Sequence, residues 1–275
     1  MAVITIPKGT TDLTGLIANQ DSIQFAEGEQ TFTNTDQATL AAFADGLSGI
    51  SFDPTWHGVI ADSVAIKADV DYGSTPTVKI KSGGQIALWA GGASGVITKV
   101  EHFGSAQVNL VGGGTITNWE QANGRGRAAP VVTVTNFRMT GGYFAITYAA
   151  TGFTAGTMTG GVLDSGRGWS GTLHQFGGVI NTFREDTSTT LPTGATLIVG
   201  GKARHRWRGG DITNLYVLGP DCEFDARDVT KDITITNLYI TGDAAEKHRN
   251  LLRGRNKTIT ITNKNPYVSE ITTFP

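Results

Sequence analysis

Two short phrases recur along the chain from about residue 64, and they limit the folds that it can adopt. The first phrase is a Gly-Gly pair followed by a run in which apolar and polar residues alternate. It occurs at 83–86, 113–116, 141–144, 160–163, 177–180 and 209–212. The second glycines of neighbouring copies lie 17 to 32 residues apart. A unit of that length cannot bury an apolar face alone, so the repeats predict stacked coils, that is, a solenoid.

The second phrase is a β-branched pair followed by asparagine and an apolar residue. It occurs at 116–119, 134–137, 212–215 and 235–238, and a truncated copy at 259–263 ends the array. Asparagine tolerates the left-handed backbone region, and its amide can stack on the asparagine of the next coil. Glycine supplies the positive φ angles that tight corners need. The two phrases therefore predict coils with glycine corners and stacked asparagines.

The runs between these corners favour an all-β, single-stranded parallel β-helix with three short strands per coil and apolar residues pointing inward at alternate positions. The hexapeptide period of left-handed helices is absent, so we expect a right-handed coil. A jelly roll or β-sandwich is the competing all-β fold, but it usually has longer strands and turns about every 8–12 residues. Glycine makes up 37 of the 275 residues, about twice its usual share of roughly 7%, which argues against helix bundles, coiled coils and doubly wound α/β folds.

The chain divides into three predicted segments. Residues 1–63 form an N-terminal arm or cap with short strands and one helix, residues 64–263 form the β-helix, and residues 264–275 form a C-terminal tail. The apolar stripe of the predicted helix includes Leu40, Phe43 and Leu47. The helix would cover an open end of the β-helix or, alternatively, dock onto a partner.

The segment Lys202–Arg208 carries the most unusual charge pattern. Alternation places four cations on one strand face, namely Lys202, Arg204, Arg206 and Arg208. Four like charges repel one another, so we expect them to face carboxylates of the next coil, of another subunit or of a partner. The alternating carboxylates that would serve are Asp221, Glu223 and Asp225. Both sets are candidates for an interface or for polysaccharide binding.

Catalysis or metal binding by the carboxylates of Asp221, Glu223 and Asp225 is a further alternative. Paired carboxylates on one face could hydrolyse a glycosidic bond, and a carboxylate cluster could bind Ca²⁺. No second acidic cluster is recognisably related to this one, and the five histidines do not follow a metal-ligand spacing. We therefore predict no catalytic residue, no metal site, no cofactor and no enzymatic activity.

The tryptophans and the single cysteine favour packing over chemistry. Each tryptophan lies in an alternating run, so a place in the core or an interface is expected over stacking on sugars; the five are Trp56, Trp89, Trp119, Trp169 and Trp207. Cys222 is expected to be a small core residue. A lone cysteine, with neither a signal peptide nor an apolar span visible, fits folding in a reducing cytoplasm.

The Gly-Gly and Ile-Thr-Asn phrases, with a short capping segment ahead of them, resemble the β-helical virion proteins of tailed bacteriophages. These include trimeric tailspikes and head decoration (cement) proteins with a tailspike-like β-helix. The resemblance covers about residues 64–263 and transfers no catalytic residue. It implies a virion protein that is made in the host cytoplasm and forms a homotrimer.

Two features favour a decoration protein over a tailspike. The chain is short for a tailspike, and it lacks a convincing acidic pair. A decoration protein implies location on the capsid surface, with the major capsid protein and further copies of itself as partners. The formal net charge of −2 implies no general attraction to nucleic acid, so no nucleic-acid partner is expected. No stretch reaches 18 apolar residues, so no membrane is expected as a partner either. The alternative is a tailspike or receptor-binding module that binds or cleaves host surface polysaccharide.

Overall fold

The computed structural model describes residues 3–6, 22–25, 49–52, 66–67, 77–80, 85–89, 96–111, 114–128, 132–146, 153–182, 193–241, 243–244 and 257–265. The chain divides into two compact units. Unit 1 comprises Met1–Arg138 with Gly142–Phe144, and unit 2 comprises Met139–Gly141 with Ala145–Pro275. In both units the described strands pair in parallel, so the prediction of an all-β parallel solenoid is confirmed.

The strands that begin in unit 1 belong to two parallel sheets. One contains, in spatial order, β1 (Val3–Ile6), β2 (Ser22–Phe25), β3 (Gly49–Phe52), β5 (Thr77–Ile80), β7 (Val96–His102), β9 (Thr115–Gln121) and β11 (Thr133–Met139). The other contains β4 (Ile66–Lys67), β6 (Gln85–Trp89), β8 (Gln107–Val111), β10 (Arg125–Ala128) and β12 (Tyr143–Ile146). Parallel pairing thus begins at Val3, ahead of residue 64, where the β-helix was predicted to start.

The strands of unit 2 likewise lie in a sheet of longer strands and a sheet of shorter strands. The long-strand sheet contains β13 (Ala155–Met158), β15 (Trp169–Gln175), β17 (Gly194–Gly200), β19 (Ile212–Leu218), β21 (Ile233–Ile240) and β22 (Ile259–Lys264). The short-strand sheet contains β14 (Val162–Ser165), β16 (Val179–Thr182), β18 (Arg204–Arg206) and β20 (Glu223–Asp225). From β13 to β20, the chain therefore alternates between the two sheets, as a coil requires.

The longer strands depart from simple alternation at the Thr-Asn phrase. In β19, Thr213 and Asn214 both face outward, between the buried Ile212 and Leu215. Pairing with β17 skips a residue at the same place, from Gly194↔Ile212 to Thr196↔Asn214. Two outward residues in succession mark a local kink of the kind that β-bulges produce. Each coil in this region therefore has one long, kinked strand and one short strand, where three short strands were predicted.

Stacked asparagines link successive coils at this kink, as predicted. Asn237 donates from Nδ2 to Oδ1 of Asn214 at 2.8 Å, and Asn263 donates in the same way to Asn237 at 2.8 Å. In unit 1, Asn136 donates to Asn118 at 3.1 Å. Each amide thus satisfies part of its hydrogen-bonding capacity along the stacking direction.

The two glycines of a Gly-Gly phrase have different tasks. Gly178, the second glycine of its pair, has a φ of +71°, in the left-handed region that other residues rarely adopt. Gly177, the first, packs so closely on the preceding coil that a Cβ would lie 2.2 Å from the Thr159 carbonyl oxygen. The predicted role of glycine at the corners is confirmed here, and close packing between coils is a second requirement.

Apolar and aromatic side chains fill the core of each unit. In unit 1 the Trp119 ring lies 5.0 Å from that of Phe144. In unit 2 the Trp169 and Trp207 rings meet edge to face at 5.5 Å. Trp119, Trp169 and Trp207 are all buried, as predicted, and so is Cys222.

The predicted N-terminal helix and the predicted handedness of the coil are not tested by the described residues. The helix with Leu40, Phe43 and Leu47 lies outside the described residues. The right-handed sense of the coil stays a prediction. Within the described ranges, no helix has the length and apolar character to cross a membrane.

Candidate functional site

The outer face of the short-strand sheet in unit 2 gathers most of the predicted charged residues. Strands β18 and β20 pair with Arg204 opposite Glu223 and Arg206 opposite Asp225. The Arg204 Nε lies 4.0 Å from the Glu223 Oε2. Of the three partners considered for the cations, the carboxylates of the next coil are the ones that the structure places beside Arg204 and Arg206.

Asp225 forms the tightest ion pair of this face. Arg227 contacts both of its carboxylate oxygens, at 2.6 Å from Nη2 and 2.9 Å from Nε. Partial burial acts to raise the pKa of Asp225, but hydrogen bonds and charge from Arg227 outweigh it, and the pKa lies below its ordinary value. A carboxyl held ionised in this way is a poor general acid for glycoside hydrolysis, which needs a raised pKa.

The remaining charged candidates lie at the ends of these strands. Arg208 contacts the Asp228 carboxylate at 3.2 Å, and both side chains are about half exposed. Lys202 and Asp221 are exposed in the turns that precede β18 and β20. Exposed ion pairs contribute only about 0–1 kcal/mol each, so the pairs on this face add little to stability.

Two further polar residues share this face, and sequence reasoning missed them. Asn181 donates from Nδ2 to Oδ1 of Asp164 at 2.8 Å. Strand pairing puts Asp164 beside Asn181 and Asn181 beside Arg206. The signal was available, because each lies three residues after the second glycine of a Gly-Gly phrase.

The interior behind β18 contains a polar residue among aromatic rings. His205 is fully buried, donates from Nδ1 to the Gln175 Oε1 at 2.8 Å, and packs against Trp169, Trp207 and Phe224. Burial lowers its pKa to about 3. A neutral imidazole in this position has a structural role and is out of reach of a ligand at the surface.

The outer face of the long-strand sheet has the opposite character. Strand pairing aligns four outward residues on successive strands, in the order His174, Ile198, Tyr216 and Tyr239. The two tyrosine rings lie 6.1 Å apart and are 37% and 42% exposed. Strands β15, β17, β19 and β21 contain no Asp, Glu, Lys or Arg. We call this outward surface of β15, β17, β19 and β21 the neutral face.

Phe176 extends the neutral face just beyond the end of β15. Its side chain is 44% exposed, and its ring lies 6.0 Å from that of His174. None of these aromatic residues was among the predicted site residues, which were chosen for their charge or, in the N-terminal helix, for their apolar stripe. The repeated Asn-Leu-Tyr at 214–216 and 237–239 was the signal that could have found the tyrosines.

The described residues contain no group of three His, Cys, Asp or Glu side chains close enough together to bind a metal ion. The two surfaces described in unit 2 are thus the charged outer face of the short-strand sheet and the neutral face of the long-strand sheet. No protein-family model, no curated protein and no solved structure matches the chain.

Proposed function

We propose that the protein is a bacteriophage virion structural protein, most specifically a head decoration (cement) protein. It would bind the major capsid protein at the capsid surface as a homotrimer and stabilise the shell against internal pressure. It would require no cofactor and catalyse no reaction.

The observation that carries this proposal is the use of polar groups to join one coil to the next. Asn214, Asn237 and Asn263 form a continuous amide ladder. Beside the ladder, the Asp211 carboxylate accepts from the Thr234 backbone N–H at 2.7 Å, and Asp232 accepts from that of Thr258 at 2.7 Å. Such links resist separation of the coils, which is the property that a scaffold under mechanical load needs.

The alternative function, a tailspike or receptor-binding module acting on polysaccharide, has lost part of its support. Two of its motivating residues, Trp169 and Trp207, are buried and cannot stack on a sugar at the surface. A third, Asp225, is paired with Arg227 and has a lowered pKa, so it does not suit the general-acid role in glycoside hydrolysis. The decoration protein is therefore the better supported of the two.

A reconstitution experiment tests the proposal. Purified protein is added to phage heads that lack it, and the temperature at which the heads release their DNA is measured. We expect the protein to bind the heads and raise that temperature, because added contacts across capsomer boundaries oppose rupture. Heads that neither bind the protein nor gain heat resistance would overturn the proposal. As a matched test of the alternative, the same preparation is incubated with host surface polysaccharide, and new reducing ends would favour the tailspike function.

A further inference from the structure

We propose that the neutral face of unit 2 is a contact surface between copies of this chain. The proposal deepens the suggested function and rests on it, since it names the surface through which a homotrimer would form. Three features support it: the composition of the face, the alignment of its aromatic residues and the way in which its amides are already used.

The two outer faces of unit 2 differ sharply in charge. The short-strand sheet presents Asp164, Arg204, Arg206, Glu223 and Asp225. The long-strand sheet presents no charged side chain along β15, β17, β19 and β21. Both faces belong to the same coils, so the difference lies in which residues point outward from each sheet.

Large outward side chains form a continuous stripe on the neutral face, in which Tyr216 and Tyr239 are exposed and His174 and Ile198 are half-buried. His174, Ile198, Tyr216 and Tyr239 follow one another on four paired strands, a length of about 14 Å at the usual strand spacing. Phe176, at 44% exposure, widens the stripe at one end. Aligned apolar and aromatic groups of this kind are enriched at protein interfaces, where charged residues are depleted.

The absence of charge along these strands points to a second copy as the partner. In a homotrimer whose copies turn this face toward the threefold axis, equivalent groups of the three copies converge at that axis, so a charged stripe there would bring like charges together. The neutral face avoids that penalty. A strongly charged partner, in contrast, would find no ion-pairing group along these four strands.

The asparagines beside the tyrosines argue for a protein partner over a polysaccharide. Specific sugar recognition needs polar groups that converge on the ligand with free hydrogen-bonding capacity. Asn237 already donates to Asn214 and accepts from Asn263, both at 2.8 Å. The amides of this ladder are thus directed along the coil axis, which leaves them less hydrogen-bonding capacity for a sugar.

The test measures the mass of the full chain in solution by sedimentation velocity and light scattering. The wild-type protein should sediment as a multiple of 29.0 kDa. Tyr216→Glu places a carboxylate in the middle of the stripe and should shift the population to the 29.0 kDa monomer, by at least tenfold in the association constant. Val179→Glu is the matched control, because it adds the same charge on the outer face of β16, beside Arg204, and should leave the mass unchanged.

Circular dichroism establishes that each variant is folded, and Tyr239→Ser replaces Tyr216→Glu if the latter does not fold. A wild-type monomer, or an oligomer that the folded stripe variant leaves intact, would overturn the proposal. A wild-type monomer whose binding to polysaccharide is lost in Tyr216→Glu would overturn it and assign the face to sugars. Capsid binding is measured separately: a wild-type oligomer that ignores phage heads would contradict the proposed function and leave this inference standing.

Discussion

Asn237 donates a hydrogen bond from Nδ2 to Oδ1 of Asn214 at 2.8 Å, across 23 residues of sequence. Asn237 also accepts from Asn263, so a single side chain joins three consecutive coils. Asn214 and Asn237 stand at the kink of a long strand, where two residues in succession face outward. The relationship shows how a chain with little charge holds its coils in register.

Replacing Asn237 should weaken this ladder. Asn237→Leu removes a donor and an acceptor and leaves the amides of Asn214 and Asn263 each without one partner. Because these amides are half-buried or exposed and water can replace the lost bonds, we expect a loss of about 0.5–1.5 kcal/mol in the free energy of unfolding. Urea titration followed by tryptophan fluorescence measures the loss. Thr260→Leu, an exposed change on the neighbouring strand, serves as the control and should cost much less. Equal effects of the two changes would show that the ladder adds no stability.

The glycines at the corners should differ in their tolerance of alanine. Gly178→Ala forces a left-handed residue and brings its Cβ to 2.5 Å from the Gly161 carbonyl oxygen. Gly219 has a φ of +92°, and a Cβ added there would have no atom within 4 Å, so Gly219→Ala should cost only the backbone strain of about 1–2 kcal/mol. The midpoint temperature of thermal unfolding should therefore be well lower for Gly178→Ala than for Gly219→Ala. The reverse order would contradict the close approach of the coils.

Stability should fall on acidification below about pH 6.5. Burial lowers the pKa of His205 to about 3, and burial lowers that of His102 to about 4 despite its hydrogen bond to the Ala106 carbonyl. Because the unfolded chain binds these protons near the ordinary histidine pKa of 6.5 and the folded chain does not, stability is fully present above that pH and is lost below it. When the pH is lowered from 7.5 to 5, each histidine should reduce the free energy of unfolding by about 2 kcal/mol.

Urea titrations at these two pH values measure the difference. His205→Gln removes one of the titrating groups and should make the dependence shallower, whatever its own effect on stability at pH 7.5. A free energy of unfolding that stays level down to pH 5 in the wild-type protein would contradict the burial of neutral imidazoles.

The ion pair of Asp225 with Arg227 should matter little for folding at neutral pH. Both groups are near the surface, so Asp225→Asn should reduce stability by about 1 kcal/mol or less, and added salt should shrink the difference. Since the pKa of Asp225 is lowered, this contribution exists above the ordinary value of 3.8 and disappears as pH falls through the folded-state pKa. Loss of a polysaccharide-cleaving activity in Asp225→Asn would instead identify a catalytic carboxylate.

The parts of this structure that could be predicted from sequence are those that depend on local chemistry. Glycine at Gly178 and asparagine at Asn214 each satisfy a backbone or stacking requirement that the residue type itself indicates. The alternating run at Arg204–Arg206 likewise places its arginines on the outside and His205 within. Each of these signals lies within a single short stretch of sequence, so the unequal lengths of the coils do not hide it.

The features that sequence reasoning missed depend on register between coils. Strict alternation would turn Asn214 inward, and only the kink at Thr213 lets both residues face outward. Ile198 and Tyr216 come from coils of different lengths, so their alignment follows from strand pairing and not from a constant spacing. The stripe on the neutral face could therefore be recognised only once the pairing was known.

The central claim, the proposed role as a head decoration protein, is tested most directly by looking for the protein in phage particles. Cryo-electron microscopy of intact particles, compared with particles that lack the protein, should show additional density on the outer surface of the capsid, repeated with the symmetry of the capsomers. Density at the tail tip with no change on the head, or particles identical with and without the protein, would contradict the account.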